Sequence, residues 1–253
     1  GDLDRRLLLL EWVRLLLERA PLIEPLGLKD ILLRRASDPV AEVANKVTLC
    51  LAKAIEADRD FGHQLALRLH EREETLVRRA MADVLTRLFR RLTWDALPLL
   101  DDMLTSDDEG VLAAASATVG DVKYLDKEQW ADRLRQLADH SLAIVRRNLV
   151  PNLREYIEFD PADSRGLFHQ LWKDGDEVVR TRLRELMLRM EEVAPDRFAA
   201  QVKALHEVQA DLGPLWEPLA LRRAERSQAW QAWLAGEGEP VSYTHLTLPT
   251  NDQ

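Results

Sequence analysis

The chain has 253 residues and a single cysteine, Cys50. One thiol cannot build a disulfide framework, so the fold must rest on packing, and a reducing cytoplasm is the expected compartment. Glycines are few and scattered at turns, with no phosphate-binding loop and no GxSxG elbow. The six histidines (His63, His70, His140, His169, His206 and His245) form no HExxH, and no CxxC or other metal-ligand spacing accompanies them. The most apolar stretch, Leu7 to Leu17, is interrupted by Glu11 and Arg14 and is too short to span a bilayer. Positive charge is also lacking. The net charge is −9, the reverse of the basic footprint that a dedicated DNA- or RNA-binding surface carries. These absences lead us to expect no metal, no cofactor, no membrane span and no catalytic centre.

What the sequence does contain is a period. Val43, Val77, Val111, Val145 and Val179 recur at a constant interval of 34 residues without a gap. A fixed period of this length is the signature of a stacked repeat architecture. Two further columns follow the valines: Val47, Met81, Ala115, Leu149 and Leu183, then Leu51, Leu85, Val119, Leu153 and Met187. Near the end of each repeat stand Ala66, Leu100, Leu134, Phe168 and Val202, followed by Leu69, Met103, Leu137, Leu171 and Leu205. Steps of three and four residues describe one face of an α-helix. No alternating run rich in β-branched residues is present.

Each repeat reads as a longer helix carrying the valine, as in 176–193, and a shorter one, as in 196–206. Asp38-Pro39 and Asp174-Gly175 precede the longer helix at one column, and Asp160-Pro161 and Ala194-Pro195 precede the shorter one at another. Aspartate accepts hydrogen bonds from the free N–H groups of a helix start, and proline fits the first helical position. Asp60 and Thr93 are the expected caps of their copies of the shorter helix.

The stretch Lys173-Asp174-Gly175-Asp176-Glu177-Val178-Val179-Arg180 resembles the turn and second-helix start of a HEAT repeat, as does Ala138-Asp139-His140-Ser141-Leu142-Ala143-Ile144-Val145-Arg146-Arg147. Val43 and Val111 are followed by Ala44 and Leu112, so two repeats lack the arginine. Tetratricopeptide repeats share the period, but their Trp, Gly and Tyr positions are not reproduced. The resemblance implies an all-α, right-handed solenoid of HEAT-like, armadillo-like helix pairs. It also implies that Arg78, Arg146 and Arg180 pair with turn aspartates. The expected organisation is a degenerate helix pair over 1–37, five repeats over 38–207 and capping helices over 208–240, with Trp216, Trp230 and Trp233 in the last. The string Val241-Ser242-Tyr243-Thr244-His245-Leu246-Thr247-Leu248-Pro249-Thr250 resembles a translated sequencing adapter. We therefore read 241–253 as an unstructured artefact and the chain as a bacterial fragment.

At 100° per residue, the residue two after each valine points away from the core. Those positions are Asn45, Arg79, Ala113, Arg147 and Thr181, with Arg90, Arg154 and Arg184 near the same face. In HEAT-like stacks the second helices line the concave side. Arg79, Arg147, Arg154 and Arg184 are therefore the expected partner-binding residues, for a protein or an acidic peptide segment. The competing reading is a solvated face whose arginines pair with Glu155, Glu158, Glu185 and Glu192. The alternative function is a DNA alkylation-repeat type glycosylase, for which Trp94-Asp95 would be the starting point. Against it stand the acidic balance and the simpler reading that Trp94 opens a short helix and packs between repeats. A purely structural spacer is the third reading.

Overall fold

A computed structural model of the chain describes residues 1–234. The adapter-like stretch 241–253 and the loop expected over 236–240 lie outside the described residues, as do the side chains of Trp230 and Trp233. Every regular element among the described residues is helical. In chain order the helices are α1 Asp2–Leu16, α2 Ala20–Ile23, α3 Leu28–Ala36, α4 Ala41–Thr48, α5 Leu51–Ala57, α6 Arg59–His70, α7 Thr75–Leu92 and α8 Leu97–Met103. They continue with α9 Glu109–Thr118, α10 Lys127–Ala138, α11 Ala143–Leu149, α12 Leu153–Phe159, α13 Pro161–Trp172, α14 Glu177–Val193, α15 Pro195–Glu207 and α16 Gly213–Leu234. Short 3-10 segments fill 93–96, 119–124 and 150–152.

The chain divides into two compact units, Gly1–Leu149 and a second beginning at Val150. Both are stacks of helix pairs of the all-α solenoid class. In the first unit α1 packs on α4, and the valine-bearing helices pack on one another in order: α4 on α7, α7 on α9 and α9 on α11. The shorter helices lie alongside, with α3 on α6 and α10 on α11. In the second unit α13 packs on α14 and α15, and α14 packs on α15 and α16.

The core follows from the period. All five valines have 0 % exposure, and the two columns that follow them are buried in every repeat. The late columns are buried too, except that Val202 is half-buried. One close approach requires glycine. A Cβ at Gly62 would lie 2.6 Å from Ile55 Cα, where α6 meets α5.

The turn before each longer helix is built by one recurring hydrogen bond. Asp38 Oδ1 accepts from the Val40 N–H at 3.1 Å, Ser106 Oγ from Asp108 at 3.2 Å, His140 Nδ1 from Leu142 at 3.1 Å and Asp174 Oδ1 from Asp176 at 2.8 Å. Three residue types thus satisfy the same free N–H at one column. In the remaining repeat the column holds Arg72, which pairs with Glu74 two residues on. Arg72 also donates to the carbonyls of Ala36 and Asp38 at 3.0 and 2.8 Å, bracing the preceding turn. Arg146 donates to the His140 and Ser141 carbonyls at 2.6 and 2.9 Å, and Arg180 donates to the Asp174 carbonyl. In these two repeats the arginine after the valine holds the turn through backbone oxygens, while Arg78 reaches Asp102 at 3.1 Å.

Four sequence expectations change. The cap of α6 is Asp58, which accepts from the Phe61 N–H at 3.0 Å, and not Asp60. Thr93 caps nothing; its hydroxyl donates to the Leu92 carbonyl. The longer helix is continuous only in α7 and α14. Elsewhere Pro151 removes an N–H, while Thr48 and Thr118 hydroxyls bond the Asn45 and Ala114 carbonyls and compete with the helical ladder. Finally, the described part of the C-terminal segment holds one long helix, α16, rather than a pair.

Candidate functional site

The four candidate arginines sit in different settings. Arg79 lies on exposed α7 surface and makes a two-pronged contact with Asp108, Nε and Nη2 each 2.9 Å from a carboxylate oxygen. Asp108 also caps α9 by accepting from the Val111 N–H at 3.0 Å. The Arg79 guanidinium, and then that N–H, hold the Asp108 carboxyl down to about 2. A Cβ at Gly110 would lie 3.0 Å from Arg79 Nε, so the absence of a side chain there leaves room for the clamp. Arg79 therefore ties α7 to the start of the next repeat.

Arg184 on α14 donates to the Glu177 carboxylate and to the Arg180 carbonyl at 3.2 Å. Glu177 serves Arg180 as well, and the two guanidinium groups, Arg180 first, lower its carboxyl below the usual range. A 400 Å³ cleft opens beside them, lined by Trp172, Glu177, Arg180, Arg184, Asp211 and Pro214. Arg147 is half-buried on α11. Arg154 on α12 is exposed and has no hydrogen bond or ion pair among the described residues. Arg79 and Arg147 belong to the first unit, and Arg154 and Arg184 to the second.

Arg79 and Arg184 have intramolecular carboxylate partners. Arg79 uses Asp108 and Arg184 uses Glu177, while Glu158 takes Arg197. Trp94 and Asp95 lie in the short 3-10 segment 93–96, Asp95 in its first turn; Trp94 is 50 % exposed, and Asp95 is held by Arg59 at 2.5 Å. Cys50 is a core residue, and burial pushes its thiol up to about 12. Among the described residues no three His, Cys, Asp or Glu side chains are grouped to hold a metal ion, and no helix is long and apolar enough to cross a membrane.

A feature the sequence did not signal is the backbone at Thr93, where α7 ends with φ 53° and ψ −117°. A β-branched residue is a steric outlier at positive φ. Thr93 lines a 450 Å³ cleft together with Arg90, Asp121 and Tyr124. Relief of the strain, less the entropy that glycine loses on folding, predicts that Thr93→Gly raises stability by about 1 kcal/mol. Thermal unfolding checks this: a melting temperature equal to or below that of the parent would contradict the strain argument.

No family model and no curated protein matches the chain. Among solved structures it is similar to an engineered protein at 16% identity and a TM-score of 0.49, over 79% of this chain and 98% of the other. It is similar to a designed armadillo repeat protein at 14% identity and a TM-score of 0.45, over 78% of this chain and 91% of the other. Another designed armadillo repeat protein, in complex with peptide (KR)4, gives 14% identity and a TM-score of 0.48, over 77% and 90% of the two chains.

Proposed function

We propose that the chain is a HEAT-like, non-catalytic interaction module of the cytoplasm. It holds a protein surface or peptide segment of acidic character through Arg79, Arg147, Arg154 and Arg184 on the concave face of its stack. The observation that carries the reading is Arg154, an exposed guanidinium without an internal partner among the described residues. A planar fork of five donors suits bidentate capture of a carboxylate better than an ammonium does. Arg79 and Arg184 are already engaged by Asp108 and Glu177, so a partner carboxylate has to share or displace those contacts. Asp95, tied to Arg59, gives the glycosylase alternative no support.

The test is affinity capture with the whole chain, followed by charge reversal. Arg154→Glu alone removes no internal contact and is expected to weaken capture with an unchanged helical circular dichroism spectrum. Arg147→Glu together with Arg154→Glu is expected to abolish it. Capture should also fall as salt rises, because exposed charges are screened over about 8–10 Å at moderate ionic strength. Capture that survives both variants, or is lost only when the helical spectrum is lost, removes these arginines from the binding site.

A further inference from the structure

Two repeats depart from the others at the end of the longer helix, and a cleft opens where they do. The column there reads Glu56, Arg90, Tyr124, Glu158 and Glu192 at intervals of 34 residues. Each glutamate faces an arginine of a later helix. Glu56 pairs with Arg91 and Glu158 with Arg197, while Glu192 lies 3.9 Å from Arg226. In the second and third repeats the acid is replaced. Arg90 is exposed, and its guanidinium has no hydrogen bond or ion pair among the described residues. Tyr124 is 76 % exposed and ends the 3-10 segment 119–124, which packs on α7. Both side chains line the 450 Å³ cleft whose other walls are Phe89, Thr93, Asp121 and Leu125. All six residues belong to the first unit, and a repeat precedes and follows them in the chain.

We propose that this cleft binds a peptide segment of a protein partner in which an acidic residue stands next to an aromatic one. Neither Arg90 nor Tyr124 belongs to the arginine set proposed above, and the inference does not depend on it. Arg90 offers a planar fork to a carboxylate and has no internal acid to surrender first. Lys123 Nζ, 5.0 Å from the centroid of the Tyr124 ring, adds a positive charge beside the cleft. Tyr124 stands over a floor formed by buried Phe89 and half-buried Leu125, which suits a second aromatic ring. Arginine and tyrosine are also the residue types that carry most of the binding energy at protein interfaces. Asp121 is half-buried, and its carboxylate has no partner among the described residues. It repels a phosphate dianion but accepts a backbone N–H from an extended segment. A small-molecule site encloses most of its ligand. Here the aromatic wall is largely open to solvent, so a chain lying across the cleft fits better than an enclosed molecule. Thr93 forms part of the wall with its backbone at φ 53°, and strain of this kind gathers at binding sites.

Two-dimensional NMR of the full chain, titrated with the blocked dipeptide acetyl-Glu-Phe-amide, tests the proposal. The amide signals of Arg90, Thr93 and Tyr124 are expected to shift saturably. Acetyl-Gln-Phe-amide and acetyl-Glu-Ala-amide are each expected to bind about tenfold more weakly. Arg90→Gln is expected to erase the preference for Glu over Gln, and Tyr124→Ala the preference for Phe over Ala. Both variants should keep the helical circular dichroism spectrum, because both side chains are exposed. Cleft amides that do not shift, or preferences that survive in the two variants, overturn the proposal. Inorganic phosphate that shifts the same amides at lower concentration than the dipeptide marks a general anion site and overturns it as well. The charge reversals at Arg147 and Arg154 touch none of these residues, so failure of the arginine set and failure of this cleft are read separately.

Discussion

Val145→Asp is expected to abolish cooperative folding of the first unit at room temperature, whereas Thr181→Asp should be nearly silent. Val145 has 0 % exposure on α11, which packs on both α9 and α10. A carboxylate there has no partner, and burying an unpaired charge costs on the order of 3–5 kcal/mol by analogy with a broken buried pair. That loss is a large share of the ordinary total stability of a domain. Thr181 is exposed on α14 between Glu177 and Arg184, each within 3.3 Å of its hydroxyl. A new carboxylate there loses little to Glu177 and gains from Arg184, so the net change stays within about 0.5 kcal/mol. Repeats lean on their neighbours, so the damage at 145 should travel along the stack. Hydrogen exchange should show protection lost across α9 and α10 as well as α11. Equal denaturation midpoints for the two variants would mean that the faces of the longer helices have been misassigned.

The contrast between these two positions was legible in the sequence because burial in a stack is a local property. A valine every repeat, with apolar residues four and eight positions on, specifies the inward face without any knowledge of the partner helix. The turns were legible in a weaker sense. Asp38 and Asp174 announce a cap, but Ser106 and His140 make the same bond and announce nothing, because the turn needs an acceptor rather than a particular residue. Breaks in the longer helices were legible only at Pro151; the threonine hydroxyls that disturb the others compete with the backbone in a way that no pattern shows. The arginine partners were missed for a structural reason. Neighbours in a stack lie about one period apart, so the acids that matter are near that distance in the chain: Arg133 meets Asp101 across 32 residues, Arg91 meets Glu56 across 35 and Arg59 meets Asp95 across 36. Arg184 is the exception, since its partner Glu177 stands at the start of the same helix, α14.

The most consequential of these cross-repeat pairs is at Asp38, and Asp38→Asn is the second large effect expected. Asp38 is buried where the first helix pair meets the first full repeat. Its carboxylate accepts from Arg6 at 2.7 Å, from Arg35 at 3.0 Å and from the Val40 N–H at 3.1 Å. Burial pushes its carboxyl up, but the Val40 N–H, Arg6 and Arg35 together outweigh it and hold the group below its usual value. Asparagine keeps the shape and the acceptor toward Val40 but leaves Arg35 without its counter-ion and Arg6 with only the exposed Asp2, 3.1 Å away. The expected loss is about 3 kcal/mol at neutral pH, the low end for a broken buried pair because Arg6 and Arg35 retain some access to water. The pH dependence follows from the direction of the shift. A carboxyl whose folded value is depressed contributes its full stabilisation above its unfolded value near 4, and loses it as pH falls through the folded value. Stability measured by denaturant at neutral pH and again well below pH 4 should therefore show a wide gap between parent and variant in the first case and a narrow one in the second. A gap of the same size at both pH values would show that Asp38 acts through its shape and not through its charge.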